Sequence, residues 1–121
     1  MHKKSFIPLS IFLTLLLSRI FLHFFPATNI SFFSYTIHHF YIGVALLFLL
    51  LPFLLIKKLT TPVLLLLGIS LALILDEFFF LVFTTATDLD YRSSLLETVV
   101  ITSVYLIYFY LITPKLSILN R

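Results

Sequence analysis

The sequence predicts an all-α fold, a four-helix transmembrane bundle with both termini cytoplasmic, and three observations predict it. Of its 121 residues, 61% are hydrophobic and only 11% charged, where soluble domains carry roughly 25% charged residues. The apolar residues fall into four runs, about 6–25, 37–56, 62–85 and 95–113, each near the roughly 20 residues that a bilayer core demands. Basic residues stand at the ends of those runs. Lys3, Lys4, Lys57, Lys58, Lys115 and Arg121 share one side, and only Arg92 falls in an opposite loop. Lys and Arg collect on the cytoplasmic side, which orients the bundle.

These features read as a single integral-membrane domain over 1–121. The absence of Cys excludes disulfides, thiolate nucleophiles and iron–sulfur or Cys-zinc sites. The net charge of +3 is no nucleic-acid signal, because the basic residues terminate apolar runs and so act as topology determinants. Fifteen Phe and six Tyr with no Trp leave Tyr as the interfacial anchor.

The first run follows a short basic head. A signal peptide is the rival reading, but Phe25-Pro26-Ala27 places an aromatic where cleavage needs a small residue, and Arg19 and His23 interrupt the tail of the run. It is expected to be a retained helix. Residues 26–36 form the first outer connection, and Thr36 offers a cap for the second run. Pro52 lies in the last turns of that run and should kink it or free a carbonyl. Thr60 and Thr61 can cap the third run, with Pro62 in its first turn, where the missing N–H is harmless. Residues 87–93 make the second outer loop, and Pro114 stops the fourth run.

Within the third run the stretch GISLALILDEFFFLVF sets two adjacent carboxylates, Asp76 and Glu77, among lipid-soluble residues. A carboxylate at the centre of a membrane helix costs about 2.5–3.5 kcal/mol on insertion scales, so the pair requires partners. Asp76 lies fourteen positions after Pro62 and Arg19 thirteen after Phe6. At a rise of about 1.5 Å per residue both fall some 20 Å from the inner face of a ~30 Å core. His23 is one turn further out on the helix of Arg19, and His38 and His39 open the second helix. Charge and imidazole thus converge on the outer third.

Helical spacing adds direction. Gly68, Ala72 and Asp76 recur every four residues, a small-residue face that turns Asp76 into the bundle. Ser70 and Glu77 form a second stripe about 100° around the helix. Ser10, Thr14 and Ser18 make a polar stripe on the first helix, and His39 shares a face with Gly43 on the second.

Two chemistries compete for these residues. In one, Arg19 forms a structural ion pair with a carboxylate, fixing helix register, although one Arg leaves the other carboxylate unanswered. In the other, His23, His38 or His39, Asp76 and Glu77 ligate a metal. Nitrogen and oxygen donors without thiolates suit zinc, iron or manganese. Adjacent residues cannot share a helix face, so one of His38 and His39 is expected to bind, with His39 preferred for its alignment with Gly43. A proton relay through the same groups is a third use. Elsewhere, Ser94-Leu95-Leu96-Glu97 matches a capping box. Asp88 and Asp90 read as solvated loop residues, Tyr105, Tyr108 and Tyr110 as anchors near the inner interface, and His2 as an idle terminal residue.

The His pair opening the second run (HHFYIG) and the Gly-led run ending in Asp-Glu (GISLALILDE) resemble small uncharacterised integral-membrane proteins of prokaryotes. The likeness covers the middle two thirds of the chain and implies membrane class, with no activity attached. The pairing of Ser18 with a His on the first helix more faintly resembles membrane hydrolases of the ceramidase-like type. Those use seven spans and more His, so their activity is not carried over.

The expected function is a polytopic membrane protein of a prokaryotic plasma membrane with a polar, metal-binding site near the outer face. As an enzyme it would carry out metal-assisted hydrolysis or oxidation of a lipid or other membrane-soluble substrate, the metal acting as Lewis acid or water activator and Glu77 or Asp76 as catalytic base. The alternative is a non-catalytic membrane subunit or small oligomeric transporter, in which Arg19, the carboxylates and the histidines lock helices or relay protons. The lipid bilayer is the expected partner in both, together with a homo-oligomer or larger membrane complex.

Overall fold

The computed structural model describes residues 5–25, 31–32, 35–36, 38–83 and 93–112. Among them run four helices: α1 (Phe6–Phe24), α2 (His39–Leu55), α3 (Thr61–Phe83) and α4 (Leu95–Ile112). The connection between α1 and α2, expected to be irregular, contains a two-residue antiparallel ladder. It joins β1 (Ser31–Phe32) to β2 (Tyr35–Thr36), with Ser31 opposite Thr36 and Phe32 opposite Tyr35. The terminal basic residues Lys3, Lys4, Lys115 and Arg121, with His2, Asp88, Asp90, Arg92 and Pro114, lie outside the described residues.

Three helices, α1, α3 and α4, are long and apolar enough to cross a membrane. The second run gives the shortest of these helices. Its regular helix has 17 residues, a rise of about 26 Å, short of a ~30 Å hydrocarbon core. Both its ends have identifiable causes. It starts at His39 rather than near residue 37, and its N-cap is His38, which makes no side-chain cap bond; the expected cap, Thr36, belongs to β2. It stops in a Schellman turn: the N–H of Lys58 bonds the carbonyl of Phe53 at 2.9 Å, and that of Lys57 bonds Leu54 at 3.1 Å. Lys57 occupies the left-handed position of this turn, with φ of 57°, where glycine is the usual occupant. Pro52 lies inside α2. Pro62, by contrast, falls in the first turn of α3, where the carbonyl of Thr60 already accepts the N–H of Leu64 at 3.0 Å.

The central element is α3, which packs against each of the other three helices, most extensively against α1 and α2. Two close approaches explain why. A Cβ on Gly68 would stand 2.6 Å from Cβ of Ser10 and 2.8 Å from the carbonyl of Ile7, so only glycine lets α1 come this near. A Cβ on Gly43 would stand 2.8 Å from the carbonyl of Ser70, the same device between α2 and α3. A serine hydroxyl seals each approach. Ser10 Oγ donates to the carbonyl of Leu65 at 2.7 Å, and Ser70 Oγ to that of Gly43 at 2.8 Å. Small residues and hydroxyl donors are the means by which helices associate when apolar area alone gives little preference.

These contacts set α1 parallel to α3, because Ser10 meets Leu65 and Arg19 meets Asp76. They set α2 antiparallel, because His39 meets Asp76 while Gly43 meets Ser70. Near the start of α3, Ile7, Ile11, Leu64 and Ala72 form the buried apolar cluster, and Tyr105, Leu106 and Phe109 of α4 pack on it. Every helix also exposes large apolar side chains, among them Leu17, Phe48, Val82 and Leu111.

Candidate functional site

The polar residues gather toward the far end of α3, around Asp76 and Glu77, which are 0% and 4% exposed. Being consecutive on a helix, the two side chains leave α3 about 100° apart. Each therefore starts toward a different neighbour, although His39 of α2 reaches both. Asp76 continues the Gly68–Ala72 face toward α1, and Glu77 continues the Ser70 face toward α2.

Arg19 of α1 clasps Asp76. Its Nε donates to Oδ1 at 2.7 Å, Nη2 lies 2.7 Å from the same oxygen, and Nη2 also reaches the Asp76 main-chain carbonyl at 3.4 Å. A further guanidinium contact is Thr98 of α4, whose Oγ1 accepts from Nη2 at 2.9 Å. Thr98 in turn donates to the Asp76 carbonyl at 3.2 Å. Ser18 stands 3.5 Å from Oδ2. One aspartate is thereby tied to two other helices before α2 is considered.

On the α2 side, His39 lies between the carboxylates. Its Nε2 is 2.9 Å from Oδ2 of Asp76 and its Nδ1 is 3.2 Å from Oε1 of Glu77. His38 brings Nδ1 to 3.4 Å from the same Oε1, and its ring meets that of Phe80 edge-on at 5.6 Å between centroids. The other oxygen of Glu77 has a different task. Oε2 accepts the backbone N–H of Phe40 at 2.8 Å, one of the four N–H groups that the first turn of α2 leaves without an intrahelical partner. Glu77 is thus the cap that the N-terminus of α2 lacks locally, and its negative charge faces the positive end of the helix dipole.

Several expectations change here. Both His38 and His39 contact Glu77, where helical geometry allowed only one of them to bind. The reason is that His38 is still extended, with φ −75° and ψ 143°, so the 100° rule does not yet separate the two. His23, expected to join the site, is exposed and stacks edge-on against Phe24 at 5.4 Å between centroids. Among the described residues no group of three or more His, Asp or Glu is disposed to hold a metal ion. Arg19 covers Oδ1 of Asp76, and both nitrogens of His39 face carboxylate oxygens at hydrogen-bond distance, so these groups bond one another and do not converge on a common point. Ser94 accepts the N–H of Thr98 at 3.0 Å, in the manner of an N-cap residue. Three positions on, Glu97 keeps Oε2 buried with no hydrogen-bond partner, as does Thr102 with Oγ1.

Thr98 and the Phe40 N–H are members of the network that sequence reasoning missed. Thr98 carried a signal, since it shares with Thr102 a hydroxyl-bearing face of an otherwise apolar helix. The Phe40 contact follows from the fold: once Thr36 belongs to β2, a helix that begins with His-His needs a cap from elsewhere. Comparisons with protein-family models, with curated proteins and with solved structures found no match.

Proposed function

We propose that the chain is an integral membrane protein with both termini cytoplasmic, in which the Arg19–Asp76–His39–Glu77 network lies in the outer third and locks the helices around α3. Length and apolarity of α1, α3 and α4, and large apolar side chains exposed on every helix, support the membrane reading. Exposed apolar area of this extent is unsuited to water. The observation that carries the lock is the saturation of Asp76. Oδ1 is held by Arg19 of α1, Oδ2 by His39 of α2, and the main-chain carbonyl by Thr98 of α4.

A saturated carboxylate is a fastening, not an open coordination or catalytic position. The network therefore favours a non-catalytic membrane component, working in an oligomer or larger membrane assembly, over the metal-dependent enzyme expected from the convergence of these residues in depth. Ionisable residues inside membranes usually pair with one another in this way.

Two experiments test the reading. Cysteines introduced at Asn29 and Leu89 should react with an impermeant thiol reagent from outside, and one at Leu59 should not; labelling of Leu59 from outside overturns the orientation. Arg19→Leu and Asp76→Asn should each loosen the bundle, and the double variant should recover part of the loss. Failure of the double variant to recover anything would mean that Arg19 and Asp76 do not act as a pair.

A further inference from the structure

Counting donors and acceptors around His39 leaves one proton to be placed. A neutral imidazole offers one N–H donor and one bare acceptor nitrogen, and an ionised carboxylate only accepts. Yet both ring nitrogens face carboxylate oxygens, Oδ2 of Asp76 at 2.9 Å and Oε1 of Glu77 at 3.2 Å. Two carboxylates and a neutral ring would set lone pair against lone pair across one of these gaps. The charges give the same answer. Arg19 offsets one carboxylate, and the second, nearly as buried, faces His39, His38 and the Phe40 N–H, so its counter-charge in a low-dielectric interior has to be a proton on this cluster.

We infer that Asp76, His39 and Glu77 form a binding site for a single proton, and that the network closes only when this proton is present. The inference takes from the helix-lock reading only the membership of the network. The groups facing the bridge come from the three helices around α3. Arg19 and Ser18 of α1 approach Asp76, His38 and the Phe40 N–H of α2 approach Glu77, and Thr98 of α4 holds both the guanidinium and the Asp76 carbonyl.

With the proton bound, the bridge has two donors facing two acceptors. On release the proton passes from a ring nitrogen to water, and His39 keeps one N–H and therefore one carboxylate. The opposite contact is lost, and α2 is held less tightly to α3 at this end, where the Phe40 N–H still bonds Glu77, while the Gly43–Ser70 approach holds it further along. The site thus couples one proton to the attachment of one helix.

The test is spectroscopic and uses the full chain, labelled at histidine nitrogen, in lipid nanodiscs at neutral pH. The expected result is His39 with N–H signals at both ring nitrogens. A single N–H accompanied by the infrared carbonyl stretch of an un-ionised carboxyl, lost in Asp76→Asn or Glu77→Gln, equally places the proton in the bridge. A neutral His39 beside two ionised carboxylates overturns the inference. Glu77→Gln adds a second measurement: removing one charge should remove one proton, seen as loss of one His39 N–H or of the carboxyl stretch. An unchanged proton count in that variant also overturns it. A folded, Arg19-dependent bundle with neutral His39 would sink the proton site alone and leave the helix lock standing.

Discussion

Near the start of α3, Leu64 and Ala72 meet Ile7 and Ile11 through apolar packing, whereas near its end Asp76 and Glu77 meet Arg19, His38 and His39 through charge and hydrogen bonds. In water the first region would dominate stability. In a bilayer the balance shifts, because lipid tails replace apolar neighbours almost without loss. An isoleucine separated from its neighbour finds another apolar surface; an arginine separated from its aspartate finds none it can use. The apolar end therefore supplies fit, and the polar end supplies the register and the choice of partner for each helix.

The sharpest way to break that comparison is to damage each end in turn. Arg19→Leu leaves Asp76 charged and buried, and unfolding in detergent should show a loss of about 3–5 kcal/mol. Next in size is Gly68→Ala, which forces a Cβ to within 2.6 Å of Ser10 and 2.8 Å of the Ile7 carbonyl. Because one obstacle is backbone, α1 must retreat, at about 1–3 kcal/mol by the same measurement. Ile11→Ala at the fully buried centre of the apolar cluster should fall below the ~2–5 kcal/mol of soluble cores, since the transfer part of that cost is largely absent in lipid. An Ile11→Ala loss exceeding that of Arg19→Leu would reverse the assignment of roles. The smallest effect is a gain. Lys57→Gly relieves the left-handed residue after α2 and should stabilise by about 0.5–1 kcal/mol in thermal melts.

Much of this was legible because membrane helices write their limits plainly. Runs of apolar residues ended by Lys57-Lys58 or opened by Thr60-Thr61-Pro62 mark helices whatever their neighbours do. The period of four through Gly68, Ala72 and Asp76 also gave a direction, toward α1, since the contacts of that face are Ser10 and Arg19. Counting residues from the inner boundary brought Arg19 and Asp76 to one depth, and they stand 2.7 Å apart. Depth, however, says how far along an axis a residue lies and nothing about which neighbour it meets. His23 shares the helix and nearly the face of Arg19, yet it is exposed. A long guanidinium crosses to α3, while a short imidazole one turn further on does not reach. The task of Glu77 as a cap for α2 was hidden for a different reason: it joins residues 37 positions apart in the chain, and local sequence points to Thr36 instead.

The brevity of α2 has a consequence for the surrounding lipid. A helix of 17 residues is a few ångströms shorter than a typical hydrocarbon slab, and it carries His38 and His39 at one end and Lys57 and Lys58 at the other. Such a mismatch is met by thinning the adjacent leaflets, at fractions of a kcal/mol per ångström. Only α3, with 23 residues, is longer than that slab, and α1 and α4, with 19 and 18, are nearly as short as α2, so the mismatch falls on the helices around α3. On the membrane reading proposed above, lipids with short acyl chains should accumulate around the short helices, leaving the longer α3 as the core of a thinned patch.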